Sequence, residues 1–213
     1  TVVFAYSKRE LSRKSPGILI IFVAFILTFS LSAFIGITFS IILFLLIRNK
    51  LLKPKNIIYI PTAFLLISLA LPLVSKVLLK YRLDFPQNIS QRIELSFGAG
   101  SLISQKFLVG TGLNTFIINE PRIKYLGSYL WTLQPVHNVF LLVFSETGIF
   151  GLLLTYYLLI RSFQKAILLN NKTFYLALAF ILVTGLVDHY WFTLQQNLFL
   201  FAFVLGNSFR EKS

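Results

Sequence analysis

With 213 residues, 56% of them hydrophobic and only 13% charged, the chain is too apolar for a soluble globular domain and reads as an integral membrane protein. Its net charge of +13 does not point to nucleic acid, because the basic residues gather in short segments between apolar runs, as in loops that face anionic lipid headgroups on the cytoplasmic side. The absence of cysteine excludes a disulfide framework and a thiolate metal site. The chain begins at Thr1 and contains no methionine, so we expect the C-terminal part of a longer polytopic protein, with one membrane domain over residues 1–213.

In chain order, Lys8, Arg9, Arg13 and Lys14 place the first segment in the cytoplasm. The apolar run Ile18 to Ile47 would reach about 45 Å as one helix, beyond the roughly 30 Å of a hydrocarbon core. Two short tilted crossings meeting near Ser30 satisfy the charge rule better. Arg48, Lys50, Lys53 and Lys55 then form the densest positive cluster, an inner loop. Ile57 to Leu79 is an outward crossing that Pro61 and Pro72 are expected to kink, with Lys76 snorkelling at its outer end. Residues 80–135 form one long outer excursion. Within it, Asn88 is positioned to cap a helix, with Gln91 as its capping-box partner. That helix is expected to run to about Gln105 on the membrane surface, with Arg92, Ser96, Ala99 and Ile103 on one face. Gly110-Thr111-Gly112 reads as a tight turn, since no strand–helix unit surrounds it to make a phosphate loop. Val136 to Ile160 returns inside, Phe174 to Val187 crosses outward, and Gln196 to Leu205 crosses back. Between the last two, Asp188-His189-Tyr190-Trp191 forms a short outer cap with Tyr190 and Trp191 as an aromatic belt. The expected fold is all-α, a polytopic helical bundle of about six crossings with both ends inside.

Among polar residues, His137 sits at the mouth of an apolar run, where an imidazole is wet enough to exchange protons near neutral pH. An interfacial histidine at a helix start is an equally good reading from the residues alone. Pro135 sets the ring's entry angle, and Asn138 is placed to orient the ring, satisfy loop carbonyls or meet substrate. Glu146 falls roughly 14 Å further along the helix on about the opposite face, so it cannot pair with His137. A carboxylate at that depth needs neutralising or a partner on another helix, which gives it a supporting role. Arg92 offers a planar fork of donors suited to phosphate oxygens. Arg82, Lys106, Arg122 and Lys124 add positive field in the same loop, and Asp188 with His189 forms a cap or a supporting pair. The two histidines and the outer carboxylates show no metal-ligand spacing.

These residues also carry a resemblance. PVHNVFLLVFSETGIFGLL resembles the His-Asn, then Glu-x-Gly-x-x-Gly signature of the O-antigen ligase/polymerase superfamily of bacterial envelope glycosyltransferases. QRIELSFGAGSLI is similar to that family's arginine-bearing helix, FLVGTGLNTF to its Gly-x-Gly segment, and GLVDHYWFTLQQNLFLFAFVLG to its last outer loop and final helix. The likeness covers roughly residues 25–206. It implies a fold of the GT-C glycosyltransferase type in the inner membrane, with the active face outward. It also implies a metal-independent, cofactor-free transfer of a glycan from an undecaprenyl-diphosphate donor to a hydroxyl on a lipid-core sugar, a glycan or a protein, with His137 catalytic and Arg92 holding the diphosphate. Ligase and repeat polymerase share this donor grip; a lipid-linked glycan transporter is the non-enzymatic alternative. A peptidoglycan polymerase fits less well, because Asp84 and Glu120 lack the expected context. TFSLSAF departs from the family's Thr-x-Ser-Arg pattern, with Leu31 where an arginine is usual.

Overall fold

The computed structural model describes residue 20 and residues 23–27, 30–51, 54–81, 85–119 and 134–210, and among these the chain is helical and contains no strand. Helix α1 (Leu31–Arg48) opens at Ser30, whose Oγ accepts the N–H of Ala33 at 3.3 Å. Residues 23–27 are also helical. The rings of Phe25 and Phe34 meet edge-on at 4.8 Å, whereas nine residues of straight helix would hold them about 13 Å apart. The apolar run is therefore broken near Ser30, as its hydroxyl-rich middle predicts.

A 3-10 turn (Pro54–Ile58) leads into α2 (Tyr59–Lys80). Pro61 lies in the first turn, where a missing N–H costs little. Pro72 lies inside the helix and meets Gly100 of α3 (Gln87–Gln105), where a Cβ would come within 2.6 Å of the proline Cβ. The small residue is what lets the two helices touch. Helix α3 starts after Pro86, so Asn88 falls in its first turn and bonds the adjacent N–H of Ile89 instead of capping. Nor does α3 simply lie on a surface: Leu95, Gly98, Ala99 and Leu102 are buried, and the helix packs on α2 and on a later helix, α5. Apolar spacing on one face of a polar helix makes this packing more favourable than exposure.

The short α4 (Phe116–Asn119) precedes α5 (Val139–Leu168), α6 (Lys172–Val187), α7 (Tyr190–Thr193) and α8 (Gln195–Asn207). Among the described residues three helices, Leu31–Arg48, Asn56–Lys80 and Val139–Leu168, are long and apolar enough to cross a membrane, and α6 is a shorter apolar helix. The chain is a helical membrane bundle.

Helix α5 is not one straight rod. Gly148 has φ 68° and ψ −168°, outside the helical region. Val139 and Thr155 line one groove beside Gly185, although sixteen residues of straight helix span about 24 Å. The chain therefore turns sharply at Gly148.

Helices α1 and α6 pack antiparallel: Gly36 lies against Phe180 and Thr184, the Ser40 hydroxyl donates to the Leu176 carbonyl, and Lys172 lies over the Phe44 ring. Helices α5 and α6 join where the Asn171 N–H meets the Ala166 carbonyl. One end of the bundle thus gathers Arg48, Lys165 and Lys172, and the other gathers Val187, Asp188 and the start of α5. The main core, with Phe163, Leu178 and Leu182, lies between them.

Candidate functional site

The polar end is built from three junctions. Asn138 precedes α5 in an extended conformation, and its Oδ1 accepts the N–H of Leu141 at 3.0 Å. Its Nδ2 donates to Ser68 Oγ at 2.9 Å and to the Leu186 carbonyl at 3.1 Å. The side chain is 1% exposed and fully engaged, so it cannot meet substrate as expected; it ties α2, α5 and α6 together. The carbonyl it satisfies is that of Leu186 within α6, not a loop carbonyl as expected. Ser68 gives no signal in the sequence, because a lone serine in an apolar helix carries no pattern.

Arg92, in the second turn of α3, donates from Nη1 to the carbonyl of Val187 at 2.7 Å. That carbonyl closes α6, where the helix dipole favours a cation. The contact brings the guanidinium to His137, Asp188 and His189. Lys106, which was grouped with it, ends the same helix about 20 Å away along the axis. Arg82, Arg122, Lys124, Asp84 and Glu120 lie outside the described residues.

His137 is held from several sides. Its Nε2 is 3.0 Å from Gln134 Oε1, its ring centroid is 5.1 Å from that of His189, and its Nδ1 is 3.9 Å from Asp188 Oδ1. That Nδ1 is buried and has no hydrogen-bond partner among the described residues. Burial, then the positive charge of Arg92 and the neighbouring His189, lowers the His137 pKa to about 4, with Asp188 opposing. His189 is likewise lowered to about 4, by burial and then Arg92. Its Nδ1 is paired with Thr193 Oγ1 at 2.7 Å. Burial raises the Asp188 carboxyl, against the opposing pull of the His189 N–H, His137 and Arg92. Both imidazoles are therefore neutral at neutral pH.

The fold does what sequence spacing could not: the ligand-capable atoms of His137, Asp188 and His189 lie within 4.8 Å of one another, close enough to be considered for a metal ion. The guanidinium of Arg92 adds a permanent positive charge to that cluster, which opposes a cation and favours an anion. Trp191 does not form an outer belt either. Its indole N–H donates to Thr184 Oγ1 at 2.8 Å, and the ring lines the groove between α5, α6 and α8.

Glu146 belongs to a separate construction. Its Oε2 accepts the N–H of Asn114 and its Oε1 the N–H of Phe116, each at 3.0 Å. The backbone on either side of Gly148 is satisfied by the same loop: Thr111 and Gly112 donate to the carbonyls of Ser145 and Glu146, and Ile149 donates to the carbonyl of Phe107. The carboxylate's partners are thus backbone N–H groups, one in the loop at Asn114 and one at the first residue of α4, Phe116. Gly110 and Gly112 adopt φ 69° and 110°, the tight turn expected of them. The Thr111 and Gly112 amides are spent on α5 and that of Gly110 on the Lys106 carbonyl, which leaves them unavailable to a phosphate. Gly110 and Gly148 let the two backbones meet: a Cβ on Gly110 would strike the Glu146 carbonyl, and one on Gly148 the Leu108 carbonyl.

The chain is thus a helical membrane protein with a guanidinium, two imidazoles and a carboxyl gathered at one end of its bundle. A family model described as O-Antigen ligase matches residues 16–156, and the chain belongs to that family of membrane ligases and polymerases of envelope polysaccharide. No curated protein and no solved structure matches it.

Proposed function

We propose that the chain transfers a glycan from a polyprenyl-diphosphate donor to a hydroxyl acceptor on the outer face of the cytoplasmic membrane, without a metal ion. The observation that carries this reading is the convergence of Arg92 with His137, Asp188 and His189 at one end of the bundle. Arg92 holds the diphosphate through charge-assisted bonds and stabilises the negative charge that develops as it leaves. His137, neutral at the working pH, takes the proton of the attacking hydroxyl. Asp188 and His189 support the ring. Arg122 and Lys124, outside the described residues, are proposed to contribute charge to donor binding, Asn138 sets where the histidine-bearing turn lies, and Glu146 holds the neighbouring loop in register.

The orientation follows from charge. Arg48, Lys165 and Lys172 gather at the end opposite the cluster, and the positive-inside rule assigns that end to the cytoplasm. The antiparallel pairing of α1 with α6 brings Leu31 to the same end as Val187, so an arginine there would have added a second diphosphate contact. Its absence leaves Arg92 with the larger share of the grip.

The test is ligation of endogenous lipid-linked glycan in membranes carrying the full protein. His137→Ala and Arg92→Ala are each expected to abolish ligation at undiminished protein level. Wild-type ligation by His137→Ala would end the proposal.

A further inference from the structure

We infer that Gln134 guards the reactive nitrogen of His137: its side-chain amide occupies the place that the acceptor hydroxyl takes during transfer, and the acceptor must displace it before the imidazole can receive a proton. This rests on the reading of His137 given above and adds a determinant of acceptor over water.

The geometry distinguishes the two nitrogens. Nδ1 is buried, lacks a hydrogen-bond partner among the described residues and faces the Asp188 carboxyl at 3.9 Å. Nε2 is the nitrogen turned to Gln134, at 3.0 Å. A carboxylate beside Nδ1 favours the tautomer with its proton there, which leaves the lone pair on Nε2. The two ends of a glutamine amide exchange by a half-turn, so Gln134 can present N–H to that lone pair. This is the donor-to-lone-pair contact that a sugar hydroxyl makes. The ring itself is held: His189 packs on it at 5.1 Å and is pinned by Thr193. Gln134 is exposed and free to swing into solvent. Of the two partners, the glutamine is the one that yields.

The chemical reason is competition. In transfer, the acceptor oxygen bonds to the donor's anomeric carbon, the bond from that carbon to the diphosphate oxygen breaks, the prenyl diphosphate departs, and the acceptor proton moves to Nε2. With water in place of the acceptor, the same step releases free glycan. An amide held on Nε2 until a well-bound hydroxyl displaces it keeps the base away from water between turnovers.

The experiment measures ligated and free glycan together, in membranes carrying the full protein with their own donor and acceptor. Gln134→Ala is expected to raise the ratio of free to ligated glycan by about three- to tenfold, the factor one hydrogen bond carries. Gln134→Asn keeps the amide on a shorter arm and should fall between; it carries the test should the alanine variant fail to accumulate. Gln134→Glu places a carboxylate against Nε2, in a field already set by Arg92, Asp188 and His189. It is expected to move the acid limb of ligation upward by about one pH unit or more. A wild-type product ratio in both amide variants overturns the inference. If His137→Ala ligates normally, the underlying reading falls instead, so the two failures are distinguishable.

Discussion

Arg92 and Val187 are joined by a 2.7 Å hydrogen bond from a guanidinium to the last carbonyl of a helix, across 95 residues of sequence. This bond adds the guanidinium of α3 to the ends of α5 and α6 that Asn138 already joins. It ties α3 to the α6 terminus and sets beside the histidines the positive neighbour that helps keep them neutral.

Arg92→Lys tests the fork. Lysine keeps the charge but offers one point of contact, so it cannot serve the Val187 carbonyl and a diphosphate with the same geometry. Ligation is expected to fall by about 10²–10³-fold, the scale of one lost transition-state donor, with the protein still inserted. Product formation at matched protein level is the measurement.

The pH dependence has a definite sign. His137 and His189 titrate near 4 in the fold and at an ordinary 6.5 when unfolded, so the unfolded chain binds more protons between those values. Their contribution to stability is complete above pH 6.5 and is lost as pH falls toward 4. The raised Asp188 works oppositely: its contribution is present at low pH and is lost as pH rises through its elevated folded value. Ligation should accordingly hold steady from pH 7 to about 5 and collapse near 4. An acid limb centred at 6.5 would show that His137 is not buried beside Arg92 as found.

Chelation separates an anion site from a metal site. Extensive treatment with EDTA is expected to leave ligation within about twofold of untreated membranes, because the positive charge at His137, Asp188 and His189 is already supplied by Arg92. Loss on treatment and recovery on adding zinc would reassign the trio as metal ligands.

Glu146→Gln probes the loop clasp. The carboxylate accepts two N–H groups; a glutamine in its place accepts one and turns a donor toward the other, leaving a buried amide unpaired at a cost of about 1–3 kcal/mol. A lower unfolding temperature in detergent and faster proteolysis between residues 106 and 116 are the expected readouts.

Gly148→Ala should be more damaging. The backbone there is left-handed and the Leu108 carbonyl stands where a Cβ would go, so the loop must withdraw from α5. Little folded protein is expected. Gly206→Ala, with open space around that glycine, serves as the tolerated control.

Much was legible in the residues because the bilayer limits what a chain can do. Apolar runs bounded by basic clusters announce membrane helices, and Thr28 to Ser32 announced the break that the Ser30 cap makes. His137 and Arg92 stood out because a membrane chain retains few ionisable groups outside its inner loops. Asn138 was misplaced, since sequence gives a residue's type and position but not whether its amide is already taken by Ser68 and Leu186. Membership of the same loop does not bring Lys106 to Arg92, because α3 runs as one rod and holds them at opposite ends.

By itself, then, the order of residues determined the class of solvent, the helical content and the family, because hydropathy and local spacing are properties of neighbouring residues. Tertiary structure alone decided which polar groups share a site. The meeting of Arg92 with Val187, of His137 with Asp188 and His189, and of Glu146 with the Asn114 and Phe116 amides each depends on how the helices pack. Those contacts join residues tens of positions apart, where local periodicity carries no information.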